Sequence, residues 1–143
     1  MVDVTGKAAS ARLATAVATV HTTAEVIGLI ASGGLPKGDA LATARVAGIM
    51  AAKRTSELIP LCHPIALGGV EVDFEIGSQA IEVSASVRTT DRTGVEMEAL
   101  TAVSVAALSV YDMIKAVDPA ARIDGIRVLR KEGGKTGVWT AQR

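Results

Sequence analysis

The 143-residue chain has a single cysteine, Cys62, so no internal disulfide can form and a disulfide-stapled scaffold is excluded. That usage fits a reducing compartment, and a soluble cytoplasmic protein is expected. Aromatic residues are nearly absent. Phe74, Tyr111 and Trp139 are all there are, which leaves the core to Ala, Val, Leu and Ile and argues against a base-stacking surface for single-stranded nucleic acid. Excess charge is missing too, since 15 Lys and Arg balance 15 Asp and Glu; bulk charge gives no basic face for a duplex. Any bound anion must therefore be met by a local cluster of cations. No apolar stretch is expected to approach the roughly 20 residues of a membrane span. A cleaved leader is disfavoured because Asp3 lies where its basic region would be, and because Leu13–Val20 is mostly Ala, Thr and Val. The length suits one domain, residues 1–143, with no separate cofactor module.

What is present reads as alternating strands and helices. The Val- and Thr-rich run 12–22 predicts a strand. A helical stripe of Val26, Ile27, Leu29 and Ile30 follows and stops at Gly33-Gly34. Asp39 is placed to cap a second helix, expected to run to Leu58 before Pro60 and Pro64 forbid its continuation. Runs 69–76 and 80–89 alternate Val and Ile with polar residues, joined by Gly77-Ser78-Gln79 as a hairpin. Thr93 and Glu96 stand three apart as a capping box for a third helix ending near Val117, at Asp118-Pro119. A last strand at 123–130 leads into a Gly-rich tail, 131–137. The order βααββαβ predicts an α+β fold of ferredoxin-like type, an antiparallel sheet with helices on one face. The second and third helices are apolar nearly all round: no charge lies between Glu98 and Asp112, and only Arg45 between Asp39 and Lys53. One face of each can meet the domain's own sheet, and the other calls for a second copy.

Chemistry-bearing residues are few. Cys62 and His63 are adjacent, so on an extended segment they point to opposite sides, and with His21 the only other soft ligand no tetrahedral metal site is expected. A buried thiol beside a loop histidine is the plain reading; Pro60 and Pro64, which hold His63 in a rigid turn, favour a functional one. Gly134-Lys135-Thr136 ends like a phosphate-binding Walker loop, but Leu129 occupies the position of the first glycine. Gly133 and Gly134 between Lys131 and Lys135 still suit either a phosphate chain or a solvated tail. Lys37, beside a helix N-terminus, can be read the same two ways. Asp112 and Lys115 are three apart, about 60° around the axis, and make either a surface ion pair or a partly desolvated acid–base pair with shifted pKa values. Glu98 and Asp112 share a helix face within about 40° yet lie roughly 21 Å apart along the axis. A small ligand touching both would need two subunits.

Several longer stretches carry a family resemblance: Met1-Val2-Asp3-Val4, Lys37-Gly38-Asp39, the run Ala42-Thr43-Ala44-Arg45 through Ala51-Ala52-Lys53-Arg54-Thr55, Leu58-Ile59-Pro60-Leu61-Cys62-His63-Pro64, Thr93-Gly94-Val95-Glu96-Met97-Glu98-Ala99-Leu100, Tyr111-Asp112-Met113 with Lys115-Ala116-Val117, and the Gly-Gly-Lys tail. Nearly the whole chain, in order, resembles the molybdenum cofactor biosynthesis protein C (MoaC) family, the cyclic pyranopterin monophosphate synthases. Arg92, where many relatives have Lys, is a departure that keeps the charge and alters donor geometry.

The resemblance implies a ferredoxin-like fold and a homohexamer, a trimer of dimers, with active sites at subunit interfaces. It implies conversion of 3′,8-cyclo-7,8-dihydroguanosine triphosphate to cyclic pyranopterin monophosphate with loss of pyrophosphate. It implies Asp112 as the catalytic carboxylate, with Lys115 and Lys131 as candidate proton carriers or phosphate anchors. Leu61, Cys62, His63, Met97 and Glu98 would line the substrate pocket, with Lys53 nearby and Lys37 and Arg12 at its rim. No resident cofactor or metal is implied, and Mg²⁺ accompanying the triphosphate is left open. The alternative from another class is a non-catalytic ferredoxin-like module that binds a nucleotide as a regulator.

Overall fold

A computed structural model describes residues 1–142 of the chain. Its elements run β1 Ser10–His21, α1 Ala24–Ser32, α2 Ala40–Ala52, α3 Thr55–Leu58, β2 Gly69–Ile76, β3 Ala80–Asp91, α4 Glu96–Ile114, β4 Arg122–Glu132 and β5 Trp139–Thr140. All strand pairs are antiparallel, in the order β2-β3-β1-β4-β5. This is the expected α+β, ferredoxin-like arrangement with one helix and one strand more than the sequence pattern indicated.

The added helix is a correction. The second helix does not run to Leu58: α2 ends at Ala52, Arg54 leaves helical geometry with ψ 12°, and the short α3 restarts at Thr55. The Thr55 hydroxyl donates to the Ala52 carbonyl at 3.0 Å, satisfying one of the acceptors left free at the break. The capping box is a second correction. Helix α4 begins at Glu96 behind Val95, with no side-chain cap, and the Glu96 carboxylate turns to Lys131 instead. Asp39 caps α2 as expected, accepting from the Ala42 N–H at 3.0 Å, and Thr23, which the sequence reading did not assign, caps α1 by accepting from the Val26 N–H at 3.3 Å. The last strand extends to Glu132, so Lys131 belongs to β4 rather than to the tail.

Period-two alternation sends Ala14, Ala16, Ala18 and Val20 of β1, with Ile81, Val83, Ala85 and Val87 of β3, into one fully buried layer. Helix α4 lies across this layer on β1, β3 and β4, and α2 rides on α4 while touching the sheet at β2. The seam between the helices is narrow because of Gly48, where a Cβ would sit 3.0 Å from the Ala102 carbonyl oxygen and 3.1 Å from the Ala106 methyl. Small side chains therefore replace aromatic bulk, as the composition required. Helix α4 also corrects the membrane expectation. Its 19 residues are long and apolar enough to cross a bilayer, but ten of them are buried between the sheet and α2, which accounts for that composition in a core helix. Three large apolar side chains on the helix pair stay outside: Val46, Met50 and Leu108.

Antiparallel packing of α2 on α4 fixes the placement of the candidate residues. The start of α2 lies beside the end of α4, and the end of α2, with the chain that follows, lies beside the α4 N-terminus.

Candidate active site

The candidate residues fall into two groups at opposite ends of α4. At the C-terminal end, the Lys115 ammonium donates to Asp112 Oδ1 and the Lys37 ammonium to Asp112 Oδ2, both at 2.6 Å. Lys37 arrives from the loop before α2, whose turn is completed by Gly38 at φ 97°. Both carboxylate oxygens are thus occupied. Hydrogen bonding by Lys115, then by Lys37, draws the Asp112 carboxyl down to about 2, and Asp112 in turn raises the Lys115 ammonium. The side chains are about half exposed, at 52%, 50% and 45%. The prospect of a desolvated pair is therefore corrected for the single chain: charge pairing, with burial opposing it, sets the Asp112 shift.

Desolvation acts at the other end. Glu98 is 4% exposed in the first turn of α4, and burial pushes its carboxyl up, with the charge of Glu96 adding to the effect. Burial likewise raises the Cys62 thiol, assisted by Glu98, so Cys62 stays a thiol rather than a nucleophilic thiolate. The stretch after α3 bends at Pro60, closes a turn through the Cys62 N–H and the Ile59 carbonyl at 3.1 Å, and carries Leu61, Cys62 and His63 past Met97 and Glu98. Together these enclose a cleft of about 480 Å³. Lys131 reaches this end from β4 and donates to Glu96 Oε1 at 3.1 Å. Lys53, at the α2 C-terminus, lies at the same end of the helix pair without an ion-pair partner among the described residues.

Arg12 projects from β1 toward the Gly-rich segment. Its Nη2 donates to the Arg92 carbonyl at 3.4 Å, while its Nε is buried without a partner. Gly133 and Gly134 take φ of 95° and 71°, and a Cβ on Gly134 would collide with the Arg12 guanidinium. This segment is folded against Arg12 and continues into β5; it is not a free tail. Arg12, Lys7, Ser10 and Lys135 line a second cleft of about 700 Å³, and Lys7 lines the Glu98 cleft as well. The two openings are neighbours.

Sequence reasoning missed Glu96, Lys7, Val2 and Val4 as parts of the site. Glu96 had been assigned to a cap, and nothing local ties it to Lys131, 35 residues away. The N-terminal residues belonged to the resemblance but carried no role. Asp112, with Lys37 and Lys115, and Lys131, with Glu96, do not meet within one chain: fourteen residues of α4 separate Glu98 from Asp112, roughly 21 Å of helix rise. Among the described residues, no three His, Cys, Asp or Glu side chains gather as a metal site.

The model of the MoaC family matches residues 1–134. The chain is 71% identical over 140 residues to cyclic pyranopterin monophosphate synthase 2 of Mycobacterium tuberculosis, covering 98% of this chain and 84% of that protein. It is 61% identical over 140 residues to the cyclic pyranopterin monophosphate synthase of Streptomyces coelicolor, covering 98% and 82%. To the synthase of that name from Corynebacterium efficiens it is 60% identical over 140 residues, covering 98% and 90%.

Proposed function

The chain belongs to the MoaC family, and from that premise we propose that it is a cyclic pyranopterin monophosphate synthase of molybdenum cofactor biosynthesis. It converts 3′,8-cyclo-7,8-dihydroguanosine triphosphate to cyclic pyranopterin monophosphate and releases pyrophosphate, acting as a lyase in the cytoplasm without a resident cofactor. The observation that carries this reading is the two-ended helix α4, with a doubly held Asp112 at one end and a cleft containing Glu98, His63 and the nearby Lys131 at the other.

Both ends are wanted by one small substrate, and about 21 Å of helix keeps them apart. The separation calls for a second subunit, and the family resemblance implies a homohexamer, a trimer of dimers; in that assembly the Asp112 end of one subunit closes the Glu98 end of another. Val46, Met50 and Leu108, exposed on the helix pair, support such contacts.

The chemistry follows from the charges. A triphosphate meets a chain of zero net charge, so its cations must be local. Lys7, Arg12 and Lys135 line the adjoining clefts, Lys131 joins them through its bond to Glu96, and together they stabilise the charge that develops on departing pyrophosphate. Reorganising the purine and ribose skeleton into a pterin needs repeated proton transfers, for which Asp112 and Lys115 are suitably paired. While both lysines hold Asp112 it is a feeble base. Phosphate oxygens that draw Lys37 or Lys115 away raise its basicity as substrate arrives. Glu98, whose carboxyl burial pushes up, faces the cleft as a hydrogen-bonding partner for a polar edge of the bicyclic substrate.

Incubation with the cyclised dihydro-GTP, with assay of pyrophosphate and of the pterin product, tests the proposal. Turnover that is abolished by Asp112→Asn and by Lys131→Ala, with assembly retained, is the expected result. Nucleotide binding without pyrophosphate release would instead make the chain a regulatory nucleotide-binding module.

A further inference from the structure

Residues 1–7 precede the sheet and pair with no strand, since β1 begins at Ser10. Their own bonds are local: the Thr5 N–H donates to Asp3 Oδ1 at 2.8 Å and the Lys7 N–H to the Val4 carbonyl at 3.0 Å. Met1 and Val2 are 72% and 73% exposed, and Val4 is the one partly buried apolar side chain of the segment. Open space lies on both sides of it. The Glu98 cleft is on one side, lined by Val2, Val4 and Lys7, and a second gap of about 380 Å³ between Met1–Thr5, His63 and Arg92 is on the other. One hydrogen bond ties the segment to the body among the described residues: His63 Nε2 to the Val2 carbonyl, at 2.7 Å. A carbonyl can only accept, so Nε2 carries the hydrogen and Nδ1 is the ring nitrogen left over.

We propose that residues 1–7 form a strap over the Glu98 cleft with His63 as its latch, and that Val2 is a positioning residue whose carbonyl holds the His63 ring in one orientation. The inference rests on the reading that this cleft receives substrate. A single hydrogen bond of this kind shifts an equilibrium by roughly two- to tenfold, so the strap opens readily to admit a ligand and then closes over it. Its loss weakens substrate binding more than it slows the bond-making steps. Val2 touches the reaction only through His63.

Backbone order parameters across the N-terminus of the full chain test the latch. Residues 2–7 are expected near the value of about 0.85 typical of ordered backbone, to fall below about 0.6 in His63→Ala, and to recover in His63→Gln, whose carboxamide also donates an N–H. Deleting Met1–Thr5 is expected to raise KM several-fold while kcat stays within about twofold. Order parameters that are already low in the native chain, or unchanged in His63→Ala, would overturn the proposal, as would a deletion that leaves KM where it was. A protein that turns over no substrate at all would sink the synthase reading, while the order parameters would still decide the strap.

Discussion

The two ends of α4 handle charge in opposite ways. At the C-terminal end Asp112 is half exposed, both its oxygens are occupied by ammonium groups, and its carboxyl is driven down to about 2. At the N-terminal end Glu98 is shut away from water and its carboxyl is driven up by burial. One end is thus an open cluster of charge, and the other is a cleft with a buried acid whose carboxyl is pushed up. The proposed reaction on a triphosphate draws on both. Pairs of titratable groups pushed apart in this way are what a site with divided acid and base duties requires.

The comparison can be broken first at its charged end. Asp112→Asn is expected to lower kcat by about 10²- to 10⁴-fold, while the thermal midpoint barely moves because exposed ion pairs add little to stability. A variant that keeps full turnover would show the C-terminal end to be ordinary surface. Next in size is the seam that carries both ends. Gly48→Val forces a branched side chain against the Ala102 carbonyl and the Ala106 methyl, and denaturant unfolding is expected to register a loss of roughly 1–3 kcal/mol. Unaltered stability would mean that α2 and α4 are not held together there.

At the cleft end, Gly94→Ala places a methyl where the Glu96 carboxylate lies. Glu96 is a flexible chain that can swing aside, so stability should change by less than about 0.5 kcal/mol. The Lys131 contact is lost, however, and steady-state kinetics should show KM raised a few-fold. The smallest effect concerns Glu98 itself. Its carboxyl is raised in the fold above the ordinary 4.5, so the stability linked to its protonation is fully present below 4.5 and is lost as pH rises through the folded value. Glu98→Gln should therefore melt above the native protein at neutral pH, and that advantage should fade as the pH is taken down toward 4.5. An advantage that is constant with pH would mean that Glu98 is not the desolvated acid of the cleft.

Local signals were legible where local chemistry decides the outcome. Asp39 caps α2 because its side chain reaches the amide three residues on, and the run 69–76 is a strand because its alternation matches the pleat. Two errors came from equally local signals that tertiary contacts overrode. Glu96 is spaced from Thr93 as in a capping box, but Lys131 captures its carboxylate. The helical pattern through Lys53 and Arg54 continues without a proline, yet the chain breaks there and resumes as α3. The site divided in the same way. Asp112 with Lys115 was readable from helical spacing, and the separation of Glu98 from Asp112 from helical rise. Lys37 on Asp112, 75 residues away, and Val2 on His63, 61 residues away, are contacts made by the folded chain, which no spacing announces.

Mixing two inactive variants tests the divided site most directly. Asp112→Asn and Lys131→Ala proteins, each without turnover alone, are dissociated together and allowed to reassemble. If one subunit supplies Asp112 and another Lys131, random mixing in a symmetric oligomer leaves about a quarter of the sites with both native residues, and pyrophosphate release should return to about that fraction. A mixture as inactive as its parents, with subunit exchange verified, would contradict the account by placing both residues in the same chain's site.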